Sequence, residues 1–295
     1  MFALASFELS LQKKSGKILK LMDTYGVIGN PIQHSLSPLI HTLFAEQTKQ
    51  QLIYRPILVA VDSLASALNE FQAQGGKGLN ITLPFKQQAF QLVNAHSERA
   101  MCAFAINTLK FNDEGDRLGD NTDGVGLIRD ITLHHQFSIR GKKVLLLGAG
   151  GAVRGVIKPI LQEEPSELVI ANRTENKAQA LAGEFLKYGS VRALTFSALV
   201  ENQFDLIING TAASLSESSI ELPENIMTNN AYCYDMVYGK GTTPFLHWAK
   251  SQGAKLCSDG LGMLVEQAAE SFFIWRGVKP DTLPVLTKLK EMTRC

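Results

Sequence analysis

Three short polar clusters in the first half of the chain carry side chains suited to binding and reducing a small, oxygen-rich acid. They lie in the segments GNPIQHSLSP, NITLPFK, and AINT together with GDNTDG. Each cluster sits at the end of a predicted strand, which is where open α/β sheets bind ligands. The clusters supply hydroxyls, amides, one ammonium and one carboxylate, from Ser35, Ser37, Asn80, Thr82, Lys86, Asn107 and Asp123. Together they predict a pocket for a small polyhydroxylated acid.

Each of these residues also has a structural explanation. Ser37 precedes Pro38 and is a natural helix N-cap. Lys86 would serve equally as a surface lysine, and Asp123 as the cap of the next helix. The functional interpretation therefore rests on the combination and not on any single residue.

A glycine turn in the middle of the chain predicts a nucleotide site. Val144 to Leu147 form an apolar run typical of a buried parallel strand, and the glycines after it allow a tight turn into a helix whose first amides hold a pyrophosphate. A strict G-x-G-x-x-G would place its third glycine at Val153, so the match is incomplete and a turn without ligand is the alternative. The predicted cofactor-binding residues of the turn are Gly148, Ala149, Gly150, Gly151 and Ala152.

The end of the following strand favours NADP over NAD. NAD-binding folds place an acidic residue there for the ribose 2′-hydroxyl, whereas NADP-binding folds place an arginine nearby. Here the strand ends in ANRTENK, and no Asp or Glu precedes Glu175. The alternative is that the arginine is a solvated residue at a helix start. The predicted phosphate-binding group is Asn172, Arg173, Thr174 and Lys177, with Arg154 in reach from a neighbouring helix.

The elements that must position these residues alternate between strands and helices, which predicts an α/β fold. Strands are expected at TYGVIG, LIYRPIL, GLNIT and in a hairpin from AINTLKF to GDN, then at VLLLG, ELVIAN, near Val191, DLIING and YCYDMV. Both halves are predicted to be parallel, helix-covered sheets. The helix in DGLGMLVEQAAESFFIWRG is expected to pack back on the first half.

This pattern predicts two domains with a cleft between them. Residues 22–122 and 261–295 are expected to form a substrate-binding domain, and residues 123–260 a Rossmann-type doubly wound domain. Residues 1–21 are predicted to be an N-terminal extension. Their apolar part precedes the lysines, the reverse of a secretory signal, so an upstream start before Met22 is one hypothesis.

Composition favours small-molecule partners. The 295 residues carry a net charge of +1 without a basic stripe, which gives no reason to expect nucleic acid. No apolar run approaches the roughly 20 residues of a membrane span. The four cysteines form no C-x-x-C pair and the six histidines show no metal-ligand spacing, so no metal site is predicted and a reducing cytoplasm fits best.

The motifs GNPIQHSLSP, NITLPFK, AINT, GDNTDG, GAGGAVRG, NRT, YDMVY and DGLGMLVEQA, in this order, resemble those of the shikimate dehydrogenase family. The resemblance spans residues 22–280 and implies NADP-dependent, reversible reduction of 3-dehydroshikimate to shikimate, a step of chorismate and aromatic amino-acid biosynthesis. It departs from the family pattern at Lys177, where relatives often carry a second arginine.

The resemblance also implies residue roles. Lys86 and Asp123 would be the catalytic pair that protonates the ketone oxygen as hydride arrives. Ser35 and Ser37 would bind the substrate carboxylate, with Tyr238 near it, and Thr82 and Lys86 would contact the ring hydroxyls. Asn107 and Asp123 would complete the site, and Gln267 would reach in from the last helix. The implied cofactor-binding set extends to Thr211, Met236 and Gly260, with Gly260 or Gly262 near the nicotinamide.

Other interpretations remain open at this point. Short-chain and methylenetetrahydrofolate dehydrogenases rely on Tyr-x-x-x-Lys. None of the six tyrosines has a lysine four residues on, so these two classes are disfavoured. A family member acting on quinate or an amino-substituted shikimate would differ by one or two pocket side chains. A non-catalytic NADP-sensing module is the third possibility. The sequence allows either a monomer or a homodimer.

Overall fold

The computed structural model describes residues 22–211, 221–239 and 241–293. The predicted extension, residues 1–21, lies outside this part of the chain. Two six-stranded sheets, each covered by helices, confirm the predicted α/β class.

The first sheet has the strand order β2-β1-β3-β5-β6-β4. Its strands are β1 (Asp23–Gly29), β2 (Leu52–Leu58), β3 (Gly78–Ile81), β4 (Ala95–His96), β5 (Thr108–Phe111) and β6 (Arg117–Asp120). β1 runs parallel to β2 and β3, but β5 is antiparallel to both β3 and β6. The prediction of a parallel sheet is therefore wrong for this half, because β5 enters the sheet in the direction opposite to β3. The hairpin itself is confirmed.

The second sheet has the order β12-β11-β10-β7-β8-β9 and every neighbouring pair is parallel. Its strands are β7 (Lys143–Leu147), β8 (Glu167–Ala171), β9 (Val191–Leu194), β10 (Phe204–Asn209), β11 (Met227–Asp235) and β12 (Leu256–Ser258). Numbered within this sheet, the order is 3-2-1-4-5-6 read from the β9 edge, which is the arrangement of dinucleotide-binding folds. The predicted strand near Val191 is confirmed as β9.

Ten α-helices are present in the described residues: α1 (Ser37–Thr48), α2 (Leu64–Ala73), α3 (Lys86–Phe90), α4 (Glu98–Ala103), α5 (Asp123–Arg129), α6 (Gly151–Gln162), α7 (Glu175–Phe185), α8 (Pro244–Ser251), α9 (Leu261–Arg276) and α10 (Thr282–Thr293). The two-residue β4, the three-residue β12 and helix α10 were not predicted, since the first two are too short to show a hydrophobic period.

Helix α9 returns the chain to the first sheet, as its apolar spacing predicts. Val265 and Phe272 of α9 pack with Ile40 and Phe44 of α1 in one buried cluster. The chain therefore passes between the two sheets twice, outward along α5 and back into α9. These two crossing helices pack against each other.

Candidate active site

A cleft of about 1270 Å³ runs between the two sheets. The loops that follow β1, β3, β7, β8, β10, β11 and β12 all contribute to its walls. Parallel strands in both sheets therefore direct their carboxyl ends at this cleft, where such folds bind ligands.

Most of the predicted site residues line this cleft. They are Ser35, Ser37, Thr82, Lys86, Asn107, Asp123, Gly148, Ala149, Gly150, Gly151, Ala152, Asn172, Thr211, Met236, Tyr238, Gly260 and Gln267. Three others, Arg173, Thr174 and Lys177, lie just beyond its wall and are exposed. The sequence clusters, up to about 230 positions apart in the chain, thus converge on one cavity.

Lys86 and Asp123 form an ion pair inside the cleft. The Lys86 Nζ donates to Asp123 Oδ2 at 2.6 Å, and the two side chains are 25% and 9% exposed. Lys86 is the first residue of α3 and Asp123 the first residue of α5. The Asp123 carboxylate binds Lys86 and does not cap α5, because no side chain caps the start of this helix. The alternatives of a surface lysine and a capping aspartate are therefore wrong.

Asn107 and Gln267 adjoin this pair. The Asn107 Nδ2 donates to Asp123 Oδ1 at 2.8 Å and lies 3.3 Å from Gln267 Oε1. Asp123 thus receives a different donor on each carboxylate oxygen. Asn107 directly precedes β5, whereas Gln267 lies in the second turn of α9.

A second group of polar side chains lies in the loop after β1 and after β11. Ser37 is the first residue of α1, and its amide donates to Ser35 Oγ at 3.3 Å. Leu36 is the N-cap of α1 and makes no side-chain capping bond, so the alternative that Ser37 is the cap is wrong. The Ser37 hydroxyl lies at the cleft, where its side chain is hydrogen-bonded to Tyr54. Burial raises the pKa of the Tyr238 phenol, which keeps its proton and remains a hydrogen-bond donor.

The glycine turn lies on the opposite wall. Gly148 has φ = +105°, a conformation that favours glycine over residues with a Cβ. Gly150 is the N-cap of α6, and no atom lies within 4 Å of the position that a Cβ there would take. The turn therefore offers an open backbone cradle at the N-terminus of a twelve-residue helix, an arrangement that attracts anions.

Asn172, Arg173, Thr174 and Lys177 form the rim beyond the glycine turn. The Asn172 Nδ2 donates to the Thr174 carbonyl at 2.9 Å and fixes the loop between β8 and α7. Arg154 does not join this group, contrary to expectation. Its guanidinium forms a bidentate ion pair with Glu184 and is therefore held away from the rim.

The buried Asn209 holds the loops after β10 and β11. Asn209 Oδ1 accepts from the Thr211 amide at 3.1 Å, and the Asn209 carbonyl accepts from the Met236 amide at 2.9 Å. Of the two glycines Gly260 and Gly262, only Gly260 lies at the cleft. Gly262 instead lies against the buried carboxylate of Asp130.

Some cleft residues were not predicted to be site residues. Asn80 was recognised as part of a polar cluster but not assigned to the site, and Gln87, His34 and Asp259 were missed. The Gln87 amide reaches across the cleft, since it is the nearest group to a Cβ built on Gly151, at 3.4 Å. Its position directly after Lys86 in the first turn of α3 was an available signal.

The described residues contain no group of three or more His, Cys, Asp or Glu side chains arranged to hold a metal ion. Nor is any helix in the described ranges long and apolar enough to cross a membrane.

Comparison with known families gives matches along most of the chain. Residues 27–109 match the shikimate dehydrogenase substrate binding domain, residues 132–232 the shikimate / quinate 5-dehydrogenase family, and residues 260–290 the shikimate 5′-dehydrogenase C-terminal domain. These three segments contain or adjoin the loops that line the cleft.

Similar proteins cover nearly the same length. The chain is 53% identical over 270 residues to the shikimate dehydrogenase (NADP(+)) of Dechloromonas aromatica, covering 92% of this chain and 98% of that protein. It is 54% identical to that of Aeromonas salmonicida with the same coverage. A crystal structure of shikimate 5-dehydrogenase from Thermus thermophilus in complex with NADP(H) and shikimate superposes with a TM-score of 0.81 at 30% identity, covering 92% of this chain and 99% of that one. The chain belongs to the shikimate dehydrogenase family.

Proposed function

We propose that this protein catalyses the NADP-dependent, reversible reduction of 3-dehydroshikimate to shikimate. The observation that carries the proposal is the Lys86–Asp123 ion pair, 2.6 Å long, inside a cleft whose opposite wall is a dinucleotide-type glycine turn. The relatives named above carry the same activity in their names.

The cleft walls fit NADP. The open backbone at Gly150 and the N-terminus of α6 suit a pyrophosphate, and the exposed Arg173 and Lys177 suit a 2′-phosphate. We assign the remaining cofactor contacts to Thr211, Met236 and Gly260. When bound, the reduced nicotinamide supplies the hydride.

The proton comes from the chain itself. As the ketone carbon gains hydride, its oxygen becomes negative and must be protonated. The Lys86 ammonium both stabilises that charge and donates the proton, forming the O–H bond and leaving a neutral amine. Asp123 holds the ammonium in place. Because the Lys86 side chain is 25% exposed, water re-protonates the amine before the next turnover.

The substrate is held at two ends. We assign its carboxylate to Ser35, Ser37 and Tyr238, whose hydroxyls donate without adding a charge. Thr82, Asn107 and Gln267 are assigned to the ring hydroxyls. The amide groups both donate and accept, which suits hydroxyls better than it suits ions.

Initial rates test this assignment. Shikimate and quinate are each assayed with NADP and with NAD, following reduced cofactor by its absorbance. We expect the highest kcat/KM for shikimate with NADP. A preference for quinate would identify a quinate dehydrogenase, and binding of NADP without turnover of either acid would identify a nucleotide-sensing module.

We also propose that the protein works in the cytoplasm as a monomer or homodimer and binds no nucleic acid. The net charge of +1 and the four dispersed cysteines support this. Light scattering after size-exclusion chromatography distinguishes the two oligomeric states.

A further inference from the structure

Behind Asn107 and Gln267 lies a group of three hydroxyls that does not reach the cleft. We call it the hydroxyl cluster: Thr108, Thr122 and Ser271, none of which has any exposed surface. Buried hydroxyls are retained only where they find hydrogen-bond partners. Their partners here are Asn107 and Gln267, two of the proposed substrate-binding residues, and Asn80, whose Nδ2 donates to Thr108 and Ser271.

The cluster fixes which way the Asn107 amide faces. The Thr122 backbone N–H, which only donates, points at Asn107 Oδ1 over 2.9 Å, and the Thr108 hydroxyl lies 2.8 Å from the same oxygen. The Nδ2 is thereby directed at Asp123 Oδ1, 2.8 Å away. The flipped amide would set its oxygen against the Asp123 carboxylate and its NH2 against the Thr122 amide.

The Thr122 hydroxyl joins this amide to the crossing helix α9. Its Oγ1 accepts from Asn107 Nδ2 at 2.9 Å and donates to the Gln267 carbonyl at 3.0 Å. Ser271 Oγ, one turn further along α9, lies 3.0 Å from the same carbonyl and 2.7 Å from Thr108 Oγ1. The backbone at Gln267 is thus tied to the strand that follows Asn107.

We propose that Thr122 is a positioning residue for the reduction: its hydroxyl links the amide of Asn107 to the carbonyl of Gln267 on α9, and so sets the ring-hydroxyl subsite. The inference rests on the proposed function. Thr122 does not line the cleft, so it acts only through its neighbours.

Substitution at Thr122 separates this role from a general effect on folding. Thr122→Val keeps the shape and removes the hydroxyl that links Asn107 Nδ2 to the Gln267 carbonyl. We expect kcat/KM for shikimate to fall by about 10- to 100-fold, with KM for NADP within about twofold of its original value. Thr122→Ser, which restores the hydroxyl, should recover activity to within about threefold.

Two further variants complete the test. Thr48→Val is the matched control, because the Thr48 hydroxyl donates to the Phe44 carbonyl in its own helix, away from the cleft. It should leave kcat/KM unchanged. Thr108→Val removes the hydroxyl that donates to Asn107 Oδ1 and should lower kcat/KM in the same way, so it decides the question if Thr122→Val does not fold.

Several results would overturn the proposal. One is a folded Thr122→Val whose kcat/KM for shikimate stays within about threefold of the original. Another is a fall in kcat/KM for NADP equal to the fall for shikimate. The third is no recovery of activity with Thr122→Ser. Failure of the proposed function is distinct, because the unaltered protein would then reduce no cofactor with shikimate.

Discussion

The Lys86–Asp123 pair predicts a specific pattern of non-additive effects. Lys86→Met and Asp123→Asn should each lower kcat by about 10²- to 10⁴-fold, the usual contribution of an acid–base group. If the residues acted independently, the double variant would lose the product of these factors. Because one 2.6 Å contact joins them, we expect them to act as a unit, with the double variant no worse than the poorer single variant.

The stability of the same variants follows from the two donors on Asp123. Lys86 bonds Oδ2 and Asn107 bonds Oδ1, so the single oxygen of an asparagine satisfies only one of them. Asp123→Asn should therefore lower the free energy of unfolding by about 1 kcal/mol, at the low end for an unsatisfied buried group because Lys86 is able to turn towards water. Adding Lys86→Met removes the competing donor and should restore part of that loss.

Initial rates with shikimate and NADP, together with urea unfolding of each variant, measure both effects. The Lys77–Asp113 ion pair is a matched control, since it is 2.9 Å long but exposed, with side chains 42% and 92% accessible. Lys77→Met and Asp113→Asn should leave kcat unchanged and shift stability by less than about 1 kcal/mol. A kcat within a few-fold of the original in Lys86→Met, or a double loss equal to the product of the single losses, would refute the assignment.

Three further predictions concern the cofactor, the pH dependence and the packing of α9. Arg173→Ala should weaken NADP binding by about 1.5 to 3 kcal/mol in calorimetric titration while NAD binding stays nearly the same, and an equal loss for both would contradict the 2′-phosphate assignment. Burial lowers the pKa of His41 from 6.5 to about 3, so the unfolded chain binds a proton first as the pH falls. The stability that neutral His41 contributes is present above pH 6.5 and is lost below it, by about 2 kcal/mol between pH 6.5 and 4.5. Over the same pH interval, the free energy of unfolding of His41→Phe, measured in urea, should fall by that amount less than that of the unaltered protein. Equal decreases in the two proteins would contradict the lowered pKa of His41. A Cβ on Gly262 would lie 2.0 Å from Asp130 Oδ1, so Gly262→Ala should lower the free energy of unfolding by about 1 to 3 kcal/mol. Adding Asp130→Ala to this variant should recover part of the loss. No recovery would mean that the clash lies elsewhere.

The sequence predicted best what depends on local pattern. The apolar run before Gly148 identifies a strand, and the residues after it identify a turn and a helix start. These three elements are separated by only a few residues in the sequence. The polar clusters were located for the same reason, since each lies at an end of a strand. Family resemblance then assigned their roles, which spacing alone left open.

What the sequence did not predict depends on contacts between distant segments. Arg154 was expected near the nucleotide, but Glu184, which lies on the neighbouring helix α7, takes its guanidinium. The hydroxyl cluster joins Thr108 to Ser271, which are 163 residues apart, and hydroxyls of this kind are indistinguishable from surface residues until the helices are packed. The antiparallel pairing of β5 with β3 was not predicted, because the direction of a strand depends on how the chain returns to the sheet.

The two passages of the chain between the sheets have a consequence for motion. Helix α5 begins at Asp123 and helix α9 carries Gln267, so the covalent links between the halves lie beside the reacting groups themselves. Any rotation of one half against the other pivots near these helices, and displacement grows with distance from the axis. The substrate contacts on these helices then move little, whereas groups farther from the helices move more. Opening and closing in this geometry would admit and release the nucleotide without disturbing the acid–base pair.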